Sequence, residues 1–357
     1  MMDASTSHRI ASFKYNTLPD AAGYVRLLEV LDDDYSENIK VRCRISTWLV
    51  DNIPKYHAIS YTWGDPEPES TILVNCQVFR VRTNCEFVLK QAYWYNKTYY
   101  YWIDAICINQ ENLGEKSMQV SIMGSIYKKA DRVLACVGDH ADDSAFLVHK
   151  LKQRAFTKGP NPRYSGMRLS LSFQLGQRFS TTVRFLRAVL CFMERPYFTR
   201  LWILQELRNA QEVTFLCGLD AVPRRVIYDM SEGIQHHLES ILWAGKSSSI
   251  ATNISRRLPV FRRFWTVPEY WRKYSNYSKR DQRLLDIARR AWLLVCFRDD
   301  IPILMSAARE LECQERKDKI FGLISLIDWG GSAPLIPDYT QTELEVTVSF
   351  FQALLNA

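Results

Sequence analysis

The chain has 357 residues, is 47% hydrophobic and 13% aromatic, and carries a formal charge of +7. That composition excludes a disordered segment and supplies core enough for two domains or one elaborated domain, while the charge permits anionic partners without requiring them. Nine cysteines with no C-x-x-C pair argue against a disulfide framework and a zinc ribbon.

Residues 1–20 read as a tail, and 1–14 lack the apolar core of a signal peptide. The apolar run at 291–297 is too short to span a bilayer, so a soluble, cytoplasmic protein is expected. Alternation predicts strands at 24–30 and 39–45, joined as a hairpin by the turn Asp32-Asp33-Asp34. A strand at 56–63 stops at Gly64-Asp65-Pro66, and 71–81 forms a second hairpin. Thr83 or Asn84 then caps a helix running to about residue 94.

Tyr101-Trp102-Ile103-Asp104-Ala105-Ile106-Cys107-Ile108-Asn109-Gln110 begins apolar and ends polar. It reads as a central strand of a parallel sheet, interrupted by Asp104, with Asn109 and Gln110 at the carboxyl end where such sheets hold ligands. Met118, Ile122, Met123, Ile126, Tyr127 and Ala130 share one stripe of a helix over 115–130. A strand at 132–138 completes a strand–helix–strand unit, which predicts a right-handed crossover and parallel pairing. Residues 140–182 read as a helix plus a long loop. A helix at 183–194 is stopped by Pro196, and another follows at 197–210. A strand at 212–217 turns at Gly218. From 219 the chain reads as mainly helical, ending in an apolar-striped helix at 343–357.

Several residues invite a chemical reading. Asp104 in an apolar run must be paired; it either pins a loop or holds a ligand hydroxyl or a catalytic partner. Asn109 and Gln110 suit loop bracing or ligand hydrogen bonds equally. Tyr61 and Trp63 beside Gly64 could stack on a ligand ring, or be core residues beside a turn glycine. Cys107 and His57 offer a thiol and an imidazole, but the isoleucines around Cys107 make it a structural thiol. Cys43, Cys76, Cys136, Cys191 and Cys296 read as small core residues. The six histidines show no metal-ligand spacing. Gly245-Lys246-Ser247 is no phosphate loop, because Ser240 stands where its first glycine belongs. The basic and aromatic residues of 256–290 fit a solvated helical face better than a nucleic-acid surface.

Five segments in order resemble the fungal heterokaryon incompatibility domain. They are Tyr56-x-Ala58-Ile59-Ser60-Tyr61-x-Trp63-Gly64-Asp65, the 102–110 block, and Gln119-Val120-x-x-Met123-x-x-Ile126-Tyr127. Then come Arg195-Pro196-Tyr197-Phe198-Thr199-Arg200-x-Trp202-Ile203-Leu204-Gln205-Glu206, and Arg316-x-Asp318-Lys319-Ile320-Phe321-Gly322 with Pro337-Asp338-Tyr339. The resemblance implies non-self recognition and regulated cell death in filamentous fungi. A shorter resemblance is to Toll/interleukin-receptor domains, some of which hydrolyse NAD with a glutamate four residues after a tryptophan on a helix. Trp202 and Glu206 have that spacing.

The resemblances imply an α/β fold, flavodoxin-like, with a mostly parallel sheet, an N-terminal β-hairpin and a helical C-terminal region. The domain would span 21–218, with a helical region at 219–357 packed on it. They imply Glu206 as catalytic residue, with Tyr61, Trp63, Gly64, Asp65, Asp104, Asn109, Gln110 and Trp202 binding NAD as substrate, and no resident cofactor or metal. The bland reading of Glu206 is an ion pair with Arg195 or Arg200. Self-association and a regulatory protein partner are expected. The alternative is a non-catalytic assembly module that triggers death through partners.

Overall fold

The computed structural model describes residues 11–31, 41–97, 99–157, 179–231, 290 and 301–356. The chain opens with an antiparallel pair, β1 (Tyr24–Val30) and β2 (Arg42–Leu49). β3 (Tyr56–Tyr61) follows, buried at all 6 positions as a central strand must be. The hairpin β4 (Glu69–Val74) and β5 (Gln77–Arg82) leads into α1 (Thr83–Tyr95). Next come β6 (Tyr100–Trp102), the single turn α2 (Asp104–Cys107), α3 (Leu113–Lys129) and β7 (Arg132–Cys136). Helices α4 (Ser144–Thr157), α5 (Phe179–Met193) and α6 (Ile203–Asn209) precede the hairpin β8 (Val213–Cys217) and β9 (Asp220–Pro223). Beyond 300 lie α7 (Ile301–Glu310), α8 (Asp318–Phe321) and α9 (Glu343–Asn356).

The fold is α/β. The strands form one 9-stranded sheet in the order β5-β4-β2-β1-β6-β3-β7-β8-β9. Its centre is the expected parallel sheet, flanked by antiparallel pairs that include the N-terminal hairpin. β6, β3, β7 and β8 run parallel, because helices carry the chain back between them. β1 joins β6 antiparallel, and the hairpins add further antiparallel pairs at the flanks. In chain order the parallel strands stand 2-1-3-4, the doubly wound order whose switch point lies between β3 and β7.

Several elements differ from the sequence reading. β2 starts later, at Arg42, because its register runs from Val30↔Cys43 to Tyr24↔Leu49. The 101–110 run is not one strand. β6 ends at Trp102, and the Cys107 amide turns back to the Ile103 carbonyl at 2.8 Å. Neither Thr83 nor Asn84 caps α1 through its side chain. Arg82 holds the N-cap position, while Thr83 and Asn84 donate to the Pro68 and Thr62 carbonyls. The helix expected over 197–210 is split into a 3-10 turn, Pro196–Thr199, and α6. Between them Arg200 is extended and bridges Glu312: the Leu201 amide donates to the Glu312 carbonyl at 2.8 Å and the Glu312 amide to Thr199 at 2.6 Å. Cys76 is exposed, in the β4–β5 turn. The turn at 32–34, the loop at 158–178, Gly245-Lys246-Ser247, the 256–290 stretch except residue 290, and Cys296 lie outside the described residues.

One apolar core fills both faces of the sheet. A second gathers Val120, Leu201 and Leu204 with Leu304, Phe321, Trp329 and Phe350. The two meet where α3 passes the 3-10 turn Ile324–Leu326. A Cβ on Gly124 would stand 2.4 Å from that of Ser325, so only glycine allows this approach. No helix among the described residues is long and apolar enough to cross a membrane.

A buried ion pair ties β1 to α3. Arg26 and Glu115, 3% and 6% exposed, meet at 2.5 Å. Arg26 also donates to the Cys107 carbonyl at 3.1 Å, and Glu115 accepts the Asn109 amide at 2.8 Å. Removing one partner of such a pair strands the other charge. Glu115→Ala should therefore destabilise the chain by about 3–5 kcal/mol, read as a lower urea midpoint. An unchanged midpoint would remove the pair from the stability of the fold.

Candidate functional site

The residues singled out in the sequence lie near the carboxyl ends of β3 and β6. Glu206, on α6, is 2% exposed. Arg200 grips both its oxygens: Nη2 donates to Oε1 at 2.8 Å and Nη1 to Oε2 at 3.0 Å. Ser60, on the face of β3 opposite His57, Ile59 and Tyr61, donates its hydroxyl to Oε2 as well. The Tyr197 hydroxyl lies 2.7 Å from Ser60 Oγ. Ser60 has one proton and gives it to Glu206, so Tyr197 is the donor in that contact. Burial works against the Arg200 charge, but the Glu206 carboxylate outweighs it and holds Arg200 above its usual range.

Asp104 joins the same electrostatic cluster from the other side. Its Oδ2 accepts from Trp63 Nε1 at 3.0 Å and its Oδ1 from the Ala105 amide at 2.8 Å. Burial, and then the Glu206 carboxylate, push Asp104 up to about 6, against the pull of Arg200 and these hydrogen bonds. Tyr127 feels both carboxylates; burial first and then their charge hold its hydroxyl neutral well above its ordinary value. Two carboxylates thus face one guanidinium.

The remaining candidates divide between bracing and exposure. Trp63 lies under the Arg82 guanidinium, 5.2 Å from its ring centre, and Arg82 donates to the Gly64 carbonyl at 2.6 Å. Gly64 and Asp65 are exposed. Tyr61 is 2% exposed and belongs to the core, so its ring offers no open face for stacking. Gln110 donates to the Asp104 carbonyl at 3.0 Å, and the Asn109 side chain takes the Glu111 amide at 3.3 Å; both brace the loop. Trp202 holds the N-cap position of α6 and packs against both cores. Cys107 and His57 form no pair. Burial pushes the Cys107 thiol up to about 12, while His57 stacks on Tyr99 at 4.2 Å and burial lowers it to about 4. Among the described residues no group of three or more His, Cys, Asp and Glu is placed to hold a metal ion.

A cavity of about 420 Å³ opens where the loops after β3 and β7 meet the start of α1. Asp65, Glu67, Thr83, Asn84, Phe87 and Asp139 line it. This is the switch point of the parallel strands, the place where doubly wound sheets bind ligands. Of the predicted residues only Asp65 lines it. Arg26, Glu115 and Arg82 support the site without having been singled out in the sequence, and Tyr127 was read there only as a helix-stripe and motif residue. Each is one member of a pair whose other half is distant or aromatic, and a single charge or tyrosine gives no signal of that.

The family model described as heterokaryon incompatibility protein (HET) matches residues 56–206, from the first residue of β3 to Glu206 itself. Over this segment the chain is similar to the HET family. The chain is also 24% identical over 381 aligned positions to heterokaryon incompatibility protein 6, OR allele, of Neurospora crassa. The alignment covers 95% of this chain and 52% of that protein, so the chain spans about half the relative's length. No solved structure matches.

The raised Asp104 gives this segment a definite pH signature. Between the ordinary value of 3.8 and about 6 the folded state holds the Asp104 proton more tightly than the unfolded chain does. Stability contributed by this group is therefore present below that window and falls as pH rises through it. Asp104→Asn keeps an acceptor and cannot ionise. Relative to the variant, the wild type should lose stability from about pH 4 to about pH 6 and then hold a constant difference, as measured by denaturant titration. A difference independent of pH would show that Asp104 titrates normally.

Proposed function

We propose that this chain serves fungal non-self recognition with regulated cell death as the output, and that its HET domain acts by cleaving the nicotinamide–ribose bond of NAD. The match to the HET model and the name of the Neurospora relative support the first part. One observation supports the second: a second buried carboxylate beside an already satisfied ion pair. Arg200 neutralises Glu206, and a structural pair would need nothing more. Asp104 stands in the field of that pair; burial first and then the Glu206 carboxylate push it up to about 6, against the pull of Arg200. An unbalanced negative charge held at a strand end is the usual mark of a functional site.

The chemistry suits such a centre. Nicotinamide leaves a ribosyl cation as a neutral ring, so no general acid is needed. What remains is an oxocarbenium-like centre, which a preorganised carboxylate stabilises. The acidic lining of the cavity, with Phe87 as an apolar wall, favours the cationic nicotinamide ring over the diphosphate. The spacing of Trp202 and Glu206 and the 2-1-3-4 strand order support a Toll/interleukin-receptor-like site. By the same likeness, NAD is the substrate and self-association completes the active form.

A second reading has its own observation. Glu206 is 2% exposed and fully occupied by Arg200 and Ser60. A carboxylate so enclosed also suits an assembly module whose output passes through partners.

Nicotinamide release from NAD by the purified chain separates the two. Wild type should release it, and Glu206→Gln, which keeps shape and loses charge, should cut turnover about a hundredfold or more with an unchanged circular dichroism spectrum. Full turnover by a folded Glu206→Gln chain would sink the catalytic role of Glu206. Intact NAD with wild type in every assembly state would leave the assembly module.

A further inference from the structure

The thiol–imidazole pair absent at Cys107 and His57 occurs elsewhere. At the carboxyl end of β8, Cys217 Sγ lies 3.5 Å from His140 Nδ1. Arg195 Nη1 donates to the same sulfur at 3.4 Å. On the far side of the imidazole, His140 Nε2 lies 3.2 Å from Asp220 Oδ2, and Lys152 holds the other oxygen of that carboxylate at 2.5 Å. Ser144 Oγ closes the ring of contacts, 3.5 Å from the sulfur and 3.2 Å from Nδ1. Gly218 makes the arrangement possible. Its φ is +54°, and a Cβ there would stand 2.5 Å from His140 Cδ2. Thiol, imidazole and carboxylate therefore stand in sequence, with a guanidinium on the sulfur.

We propose that Cys217 is a reactive thiol, activated by His140 and Arg195, and that small oxidants of the hydroperoxide class modify it. The centre is independent of the NAD reading. Reactive cysteines sit beside Arg or His groups that receive the proton and hold the negative sulfur, and a carboxylate behind the imidazole fixes its tautomer. Access sets the oxidant class. Cys217 is 1% exposed, which excludes bulky electrophiles, while the side chains of His140 and Asp220 are 30% and 38% exposed and border solvent. In the reaction His140 takes the thiol proton and the sulfur attacks the terminal peroxide oxygen. The S–O bond forms as the O–O bond breaks. The departing hydroxide or alkoxide takes the proton back from His140 and leaves as water or alcohol. Sulfur loses two electrons, the peroxide gains them, and Cys217 becomes a sulfenic acid.

The other buried thiols lack this setting. Burial pushes Cys85 and Cys107 up to about 12 and Cys43 and Cys136 higher still. Cys76, exposed in its turn, is the reference for an ordinary accessible thiol.

The test treats the folded full chain with substoichiometric hydrogen peroxide, removes the peroxide, unfolds the chain in a 1,3-dione that traps sulfenic acid, then maps the adducts by peptide mass spectrometry. Cys217 should carry the trap before Cys76 does. His140→Gln should slow trapping at Cys217 by about tenfold or more, leaving Cys76 unchanged. Asp220→Asn, at an exposed position, should slow it less but in the same direction. The proposal is overturned by labelling of Cys76 with Cys217 untouched. It is equally overturned by wild-type trapping at Cys217 in a natively folded Asp220→Asn chain, a variant that decides the matter even where His140→Gln fails to fold.

Discussion

The Arg200–Glu206 pair organises the carboxyl edge of the sheet. A carboxylate 2% exposed cannot stand alone, because losing its water costs several kcal/mol unless every lone pair is met. Arg200 meets both oxygens, Ser60 adds a third contact, and Tyr197 fixes Ser60. Each contact constrains the backbone. For its side chain to reach α6, Arg200 leaves the helical path and becomes extended. Extended backbone needs partners beside it, and Glu312 supplies them. The electrostatics of one glutamate thus break a helix and draw the 311–313 stretch against the 3-10 turn before α6. Leu201 and Leu204 then face the second core.

The Asp104 loop is held by the same principle from below. Arg26 and Glu115 clamp the Cys107 carbonyl and the Asn109 amide, and the Tyr15 hydroxyl donates to the Ile106 carbonyl at 2.9 Å. With its backbone fixed, Asp104 cannot swing away from Glu206. Its raised proton affinity is the consequence of that rigidity, since a mobile carboxylate would move toward water. A buried pair thus holds the loop that carries Asp104, a carboxylate raised by burial and then by Glu206. Perturbed carboxylates of this kind gather where chemistry occurs.

What the sequence showed depended on the range of the interactions that decided each element. β1, β3 and α3 follow from local period and punctuation, although Asn112, which accepts the Glu115 amide at 3.0 Å, starts α3 at Leu113, two residues before the expected start. The break at Arg200 depends on Glu312, more than a hundred residues away, and propensity in 197–210 carries no trace of it. The run after Trp102 looked like a strand because its side chains are apolar; the Asp104 side chain instead accepts the next amide and opens a helical turn. Arg26 in an alternating strand reads as solvent-facing, yet it is 3% exposed because Glu115 awaits it on α3. β9 escaped notice because it has 4 residues and ends in proline. The motif residues came together at the edge the parallel order implies. The ion pair of Glu206 with Arg200 was one of the two the sequence offered, while the hydrogen bond of Asp104 with Trp63 depends on how the loops meet.

Two polar centres share that edge, and one short turn touches both. Arg195 contacts Cys217, Tyr197 contacts Ser60, and Arg200 grips Glu206. All three flank or lie in the 3-10 turn Pro196–Thr199, whose proline fixes one dihedral and whose Tyr197 and Phe198 are buried. Adjacency alone is not coupling. A stiff turn with a buried aromatic pair, however, moves as a unit, so a change of volume or charge at Cys217 that displaces Arg195 has few ways to be absorbed before it reaches Tyr197. Ser60 would then lose its donor while still giving its proton to Glu206, and the carboxylate would be held by Arg200 with a weaker third contact. The residue that makes Glu206 tolerable in the core is thus positioned beside the same turn that Arg195 enters from the thiol.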